Sequence, residues 1–242
     1  PTQQVFKYPK AGEKNAEVSL HVYDLKSDMI SKIDVSEYNS HYIPRILWTN
    51  DPNILSVRMT NRYQNIQDLV FVDANTKETK LIHQEKDNAY VDVKDDLTFL
   101  KNNNFIWTSE QDGWNHIYHY DSTGKLINQI TKGDWEVTKY YGFDENTGNI
   151  FYQSSETGSI NRAVYSISLS GTNKKRLSSE NGNSGASFSA DYSYFIGSHS
   201  SFDTPYVYSL NSSSTGEQLR VIEDNVSLKN TLSGFIISPK EF

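Results

Sequence analysis

A short hairpin of recurring composition returns along this 242-residue chain at a nearly fixed interval. The residue opening its turn is Asp24, Asp73, Asp121, Ser168 and Asn211, at spacings of 49, 48, 47 and 43 residues. Nine residues past the first four openers stand Ile33, Ile82, Ile130 and Leu177; in the last unit Ile222 is eleven on. Three before the turn stand Tyr118, Tyr165 and Tyr208, with Val70 in the second unit. A period of roughly 40–50 residues with four short strands per unit is the signature of a β-propeller. Each blade is a twisted antiparallel sheet whose two faces pack on neighbouring blades. That accounts for strands such as Asn115–Tyr120, which carry large side chains on both faces.

The clearest unit is Trp107–Thr138. Ile106–Ser109 is apolar and β-branched, Glu110–Gly113 is a turn cluster, and Asn115–Tyr120 is rich in Tyr. Asp121–Gly124 turns again before Lys125–Thr131, which makes a hairpin. No stretch sustains helical periodicity, so no helix is expected. The expected fold is all-β: a partial β-propeller of about four complete four-stranded antiparallel blades plus a leading hairpin. The blades fall at 43–84, 97–131, 139–178 and 186–222. Residues 1–36 form an incomplete blade, with its hairpin at Val18–Val35, and 227–242 form a connector. Gly234–Ser238 reads as a last strand able to join that hairpin. A closed object, an open arc and a homodimer covering raw edges all stay open, with an arc of about four blades and packing contacts on its end faces expected; unpaired edges and bare blade faces recruit partners.

Composition narrows the function. Hydrophobic residues make up 36% and aromatics 13%, with 16 Tyr, which suits a polar-surfaced β fold and not disorder. A net charge of −7 argues against nucleic acid as a partner. No apolar run approaches the roughly 18 residues of a membrane span. There is no Cys, so disulfides and thiolate chemistry are excluded. The chain begins at Pro1 without a signal peptide, which suggests a piece of something larger.

Candidate reactive groups are sparse. Gly182-Asn183-Ser184-Gly185 is one residue short of a Gly-x-Ser-x-Gly nucleophile elbow and reads as a surface turn. His116 and His119 are three apart on a strand, which puts them on opposite faces and not on a shared metal. Asp144–Asn149 lacks the spacing of a Ca²⁺ loop and reads as a tight turn. Trp114 and Trp135 suit blade seams better than a substrate platform. Glu110, Asp112, Asp134 and Glu136 read as solvated or turn-bonding acids. No catalytic, substrate-binding or metal-ligating residue and no cofactor is expected.

Several segments resemble one family. Phe6–Ala11 (FKYPKA), Asn61–Asn65 (NRYQN), Trp107–Gly113 (WTSEQDG), His116–Tyr118, Ile130–Val137 (ITKGDWEV), Ser187–Ser189, Ser198–Ser201, Pro205 and Arg220–Asn225 (RVIEDN) are similar, in order, to bacterial dipeptidyl peptidase IV of the prolyl-oligopeptidase type. The resemblance implies a large serine exopeptidase removing X-Pro or X-Ala dipeptides from free N-termini. Its eight-bladed propeller would precede an α/β-hydrolase domain, and this chain would be the second half of that propeller, ending at Ser238-Pro239-Lys240. The family's Ser-Asp-His triad would lie beyond Phe242 and its paired glutamates before Pro1; no Glu-Glu occurs here. The implied partners are the hydrolase domain and the other propeller half of the same polypeptide, with peptides as substrates. The implied location is the periplasm or cell envelope, without membrane insertion of this segment. The alternative is a self-contained five-bladed propeller, either a glycoside hydrolase or a carbohydrate- or protein-binding module. The hydrolase would need two carboxylates about 5–9.5 Å apart, drawn from Asp51, Glu110, Asp144 and Glu156.

Overall fold

The computed structural model describes residues 3, 10–179 and 181–235. Its repeat is organised by the turn that opens each hairpin. Asp24 Oδ1 accepts the N–H groups of Lys26 and Ser27 at 2.8 and 2.9 Å. Asp73 Oδ1 accepts those of Asn75 and Thr76 at 2.7 and 2.9 Å, and Asp121 Oδ1 those of Thr123 and Lys125 at 2.8 and 3.0 Å. Such bonds preorganise the turn and favour the ionised carboxylate. Hydrogen bonds within the turn accordingly hold all three carboxyls below their ordinary range. Ser168 does the same with its hydroxyl, accepting the Thr172 N–H at 3.2 Å.

The fifth turn corrects the sequence reading. Its opener is Ser212, whose carbonyl accepts the Gly216 N–H at 2.8 Å, as that of Asp73 accepts the Lys77 N–H. Asn211 lies one residue earlier, buried in the strand with its amide bonded to Ser209. An inward polar side chain had imitated a turn residue.

The chain divides after Val93 into two compact units. In the first, β1 (Leu20–Asp24) and β2 (Met29–Ile33) form a two-stranded sheet. Strands β3 (Tyr42–Trp48), β4 (Ile54–Thr60), β5 (Ile66–Asp73) and β6 (Thr79–Lys86) form a four-stranded antiparallel sheet in chain order. Leu20, Ile33 and Val35 pack with Leu55, Val57, Met59, Val70 and Val72 to join hairpin and sheet.

The second unit holds three such sheets. The first is β7 (Thr98–Phe99), β8 (Phe105–Ser109), β9 (His116–Tyr120) and β10 (Leu126–Gln129). The second is β11 (Val137–Asp144), β12 (Asn149–Ser154), β13 (Ala163–Ser168) and β14 (Lys175–Arg176). The third is β15 (Asn183–Phe188), β16 (Tyr194–Ser201), β17 (Thr204–Ser212) and β18 (Gln218–Glu223). The fold is all-β, and its repeating unit is the four-stranded antiparallel blade of a β-propeller. The recurring residues Ile33, Ile82, Ile130 and Leu177 are all buried, as are Val70, Tyr118 and Tyr165.

The middle sheet of this unit shows why both faces are apolar. Side chains alternate across a strand. Ile150 and Tyr152 of β12 and Ala163, Tyr165 and Ile167 of β13 therefore join a core with Ile106, Ile117, Ile130 and Val137. The intervening Phe151 and Val164 join a separate core with Leu177 and Phe195. Burying one such large side chain stabilises by about 1.5–3 kcal/mol.

One helix was not expected. α1 (Val226–Leu232) has seven residues, none buried, and starts at Asn225 in the left-handed region with no side-chain cap. Two turns are too short to express a periodicity that needs 11 or more residues to read. Residues 236–238 of the expected last strand, and most of Phe6–Ala11, lie outside the described residues.

Candidate functional site

Within the second unit, the loop after strand two of each sheet and the connector into the next sheet meet at one end. The connector 130–137 carries most of the chemistry there. Thr131 Oγ1 accepts the Ile117 N–H at 3.0 Å and lies 3.1 Å from His116 Nδ1. His116 Nε2 lies 3.0 Å from the Gly133 carbonyl. A carbonyl only accepts, so Nε2–H donates to Gly133. Both ring nitrogens of this fully buried histidine are thereby engaged.

Trp135 meets the edge of His116, with centroids 4.8 Å apart, and stacks on Tyr152 at 6.4 Å. Gly133 has φ +140°, and a Cβ there would fall on the Trp135 indole. Only glycine combines that backbone with that contact. Past the tryptophan, the Val137 N–H reaches the Asn115 carbonyl at 2.8 Å, and Asn115 Nδ2 donates to the Val137 carbonyl at 2.6 Å. The Ser155 N–H donates to the Glu136 carbonyl at 3.1 Å. The connector is a brace between two blades.

The four candidate carboxylates are each engaged locally. Asp51 Oδ1 accepts the Asn53 N–H at 2.9 Å within its turn. Glu110 is exposed and pairs with Lys94 at 3.0 Å. Asp144 accepts the Asn146 N–H at 2.9 Å and the Thr147 hydroxyl at 2.7 Å, so Asp144–Asn149 is a closed hairpin turn. Glu156, mostly buried, takes Lys174 Nζ at 2.5 Å and the Ser154 hydroxyl at 3.2 Å. Lys174 in turn lies over the rings of Trp135 and Tyr165 at 5.7 and 5.6 Å. Burial, with the Glu156 charge, pushes the Tyr165 phenol up to about 12. Asp144 and Glu156 flank opposite ends of the six-residue β12. At about 3.3 Å per residue they stand much farther apart than a glycosidase pair.

His116 and His119 serve different neighbours. His119 lies 3.4 Å from Asn104 Nδ2, and burial holds it below the usual histidine range. Among the described residues no group of three His, Asp or Glu side chains could hold a metal ion. Trp135 is in the seam, whereas Trp114 is half-exposed at the β8–β9 turn. Asp112 accepts from Gln129 Nε2 at 2.5 Å.

Ser184 departs from its expected surface turn. It lies in β15, is buried, and its Oγ is 2.9 Å from His199 Nδ1 on β16. Sequence reasoning missed this pair, 15 positions apart and brought together by strand register, and the Glu156–Lys174 pair, 18 positions apart and outside the strands. The alternation of Tyr194–Ser198 continued to His199 would have been the one signal.

A profile of the Dipeptidyl peptidase IV (DPP IV) N-terminal region matches residues 1–206. Dipeptidyl peptidase 4 of Trichophyton rubrum is 28% identical over 253 residues, covering 100% of this chain and 32% of that protein. Dipeptidyl peptidase 4 of Trichophyton tonsurans is 28% identical over 246 residues, covering 97% and 32%. The crystal structure of Porphyromonas gingivalis dipeptidyl peptidase 4 superposes with a TM-score of 0.89 at 41% identity, over 98% of this chain and 34% of that one. The chain thus spans about a third of the length of these relatives.

Proposed function

The chain belongs to the dipeptidyl peptidase IV N-terminal region family, and on that premise we propose that it is a non-catalytic propeller segment of a serine exopeptidase that releases X-Pro or X-Ala dipeptides. Its work is to wall the reaction chamber, to admit short or unfolded peptides by size, and to hold the hydrolase. The chemistry then resides in an α/β-hydrolase domain and in the other propeller half of the same polypeptide. Fold alone licenses no function; what supports the reading is how the 130–137 connector uses its polar groups. His116, Thr131 and Gly133 are engaged with one another. Glu156 is held by Lys174. A catalytic acid or base must instead be able to reach a substrate proton.

The location that fits is the periplasm or cell envelope. Among the described residues no helix is long and apolar enough to cross a membrane. Purified residues 1–242 are expected to cleave a Gly-Pro chromogenic substrate only at background. Robust turnover abolished by a serine-directed inhibitor would overturn the proposal. Sedimentation of the same sample separates a monomeric arc from a homodimer that covers its open faces.

A further inference from the structure

In the first unit the opening of β3, the loop from β4 to β5 and the chain after β6 enclose a cavity of about 340 Å³. Its apolar walls are Val18, Ile43, Pro44 and Val93. Ile43 also packs on the core that joins hairpin to sheet, which fixes that wall. Three polar side chains, Tyr42, Thr60 and Gln64, complete the lining, and no charged residue takes part among the described residues.

Those polar groups keep capacity in reserve. Thr60 is 2% exposed, yet its hydroxyl has no hydrogen-bond partner among the described residues. The Gln64 side-chain amide has none either. Tyr42 accepts from Asn15 Nδ2 at 3.0 Å, which leaves its own proton to donate. The loop that carries Gln64 is preset. Gln64 lies in the left-handed region at φ 55°. Its N–H donates to the Asn61 carbonyl at 3.1 Å, and its carbonyl accepts the Val91 N–H at 2.9 Å. Asn61 Oδ1 accepts the Asn65 N–H at 3.1 Å, and the Asp87 N–H donates to the Asn65 carbonyl at 3.0 Å. A residue other than glycine persists in that conformation only where its surroundings over-determine it, and such positions cluster at ligand sites. The two clasped loops present Tyr63 and Tyr90 to solvent, at 82% and 52% exposure.

We propose that this cavity is a subsite for an apolar side chain of a peptide, whose backbone is held by Tyr42, Thr60 and Gln64 beside the two tyrosines. The choice of a peptide rests on the peptidase reading above. The volume is at the lower end of ligand pockets, which span about 300–1,000 Å³. An uncharged lining disfavours a charged group, which would lose its hydration without gaining a partner. A hydrocarbon alone would leave the buried Thr60 hydroxyl unsatisfied, at a cost in free energy. A peptide brings an N–H and a C=O next to an apolar side chain and so meets both halves of the lining. Tyr63 and Tyr90 add rigid aromatic contact area at low entropic cost.

The test is a methyl NMR titration of the 242-residue chain labelled at isoleucine Cδ1, with the Ile43 signal assigned by Ile43→Val. The probe is N-acetyl-Ala-Leu-Ala-amide. An exopeptidase that needs a free N-terminus cannot process it, so the titration reads binding alone. N-acetyl-Ala-Asp-Ala-amide and cyclohexanol are the comparisons. A saturable Ile43 shift with a midpoint of about 1 mM or below is expected for the leucine peptide, and binding at least about tenfold weaker for the aspartate peptide. Tyr63→Ala, at a position the fold does not bury, is expected to weaken binding about fivefold, as loss of an aromatic anchor does. Val18→Trp fills the cavity from a half-exposed position and is expected to abolish the response. An undiminished response in either variant, equal binding of the aspartate peptide, or cyclohexanol saturating at a lower concentration than the leucine peptide would each overturn the proposal. Absence of saturation, with Gly-Pro turnover at background, overturns the subsite alone and leaves the chamber-wall reading standing.

Discussion

The β11–β14 sheet is the shared wall of two seams in the second unit, and the two are built from it in opposite ways. Toward β7–β10, Tyr152, Tyr165 and Ile150 meet Ile106, Ile117, Ile130 and Trp135. There a buried histidine and a threonine hydroxyl fasten the connector. Toward β15–β18, aromatic packing shares the seam with glycines, hydroxyls and a cavity. The contrast teaches that a propeller repeat fixes where a seam falls and not what fills it. It also shows what one motif is for: ITKGDWEV lies on the filled seam, and its specificity is that of a brace.

Four measurements test the contrast, in falling order of effect. Tyr152→Ala empties the centre of the filled seam and should cost about 3–5 kcal/mol in urea unfolding; a loss under about 1 kcal/mol would mean the seam is not closely packed. Gly133→Ala should cost about 1–3 kcal/mol, because strained φ and contact with the Trp135 indole coincide there. The near-ultraviolet dichroism of Trp135 should change with it. Tyr152→Phe should be neutral or stabilise by up to about 1 kcal/mol. It removes a buried hydroxyl that has no partner among the described residues, and marked destabilisation would reveal a hidden partner. On the open seam, Ser198→Ala should stay within about 0.5 kcal/mol of the parent.

A pH profile adds the smallest effect. His119 and His199 are held below the ordinary value of 6.5, each by burial first. Below that value the unfolded chain binds protons that the folded chain refuses, so their contribution to stability falls as pH drops below 6.5. The same holds for His83 in the first unit, whose burial lowers it to about 4 and places its window between 6.5 and 4. Unfolding free energy measured from pH 7 to pH 5 should decline; a flat or rising curve would contradict the burial of these rings.

Much of the fold was legible because its signals are local. Asp24, Asp73 and Asp121 close turns with residues two to four positions away, and the paired strands follow from alternation. Where local chemistry is ambiguous the reading slipped. Asn211 resembles a turn residue but is an inward strand position, Ser184 sits in a Ser/Asn/Gly run that pairs as β15, and α1 is too short to show a period. The brace was visible as a motif but not as a brace, because His116, Gly133 and Tyr152 come from three segments.

The sequence by itself determined the all-β blade repeat, its turns, and which alternate residues are apolar, since each depends on neighbours within a few positions. Only the tertiary structure decided which polar groups are engaged and which border open space. Glu156 is held by Lys174 and His116 by Thr131 and Gly133, whereas His199 keeps one nitrogen beside a cavity. Those outcomes depend on strand register and on how adjacent sheets meet, and both arise only when segments distant along the chain pack together.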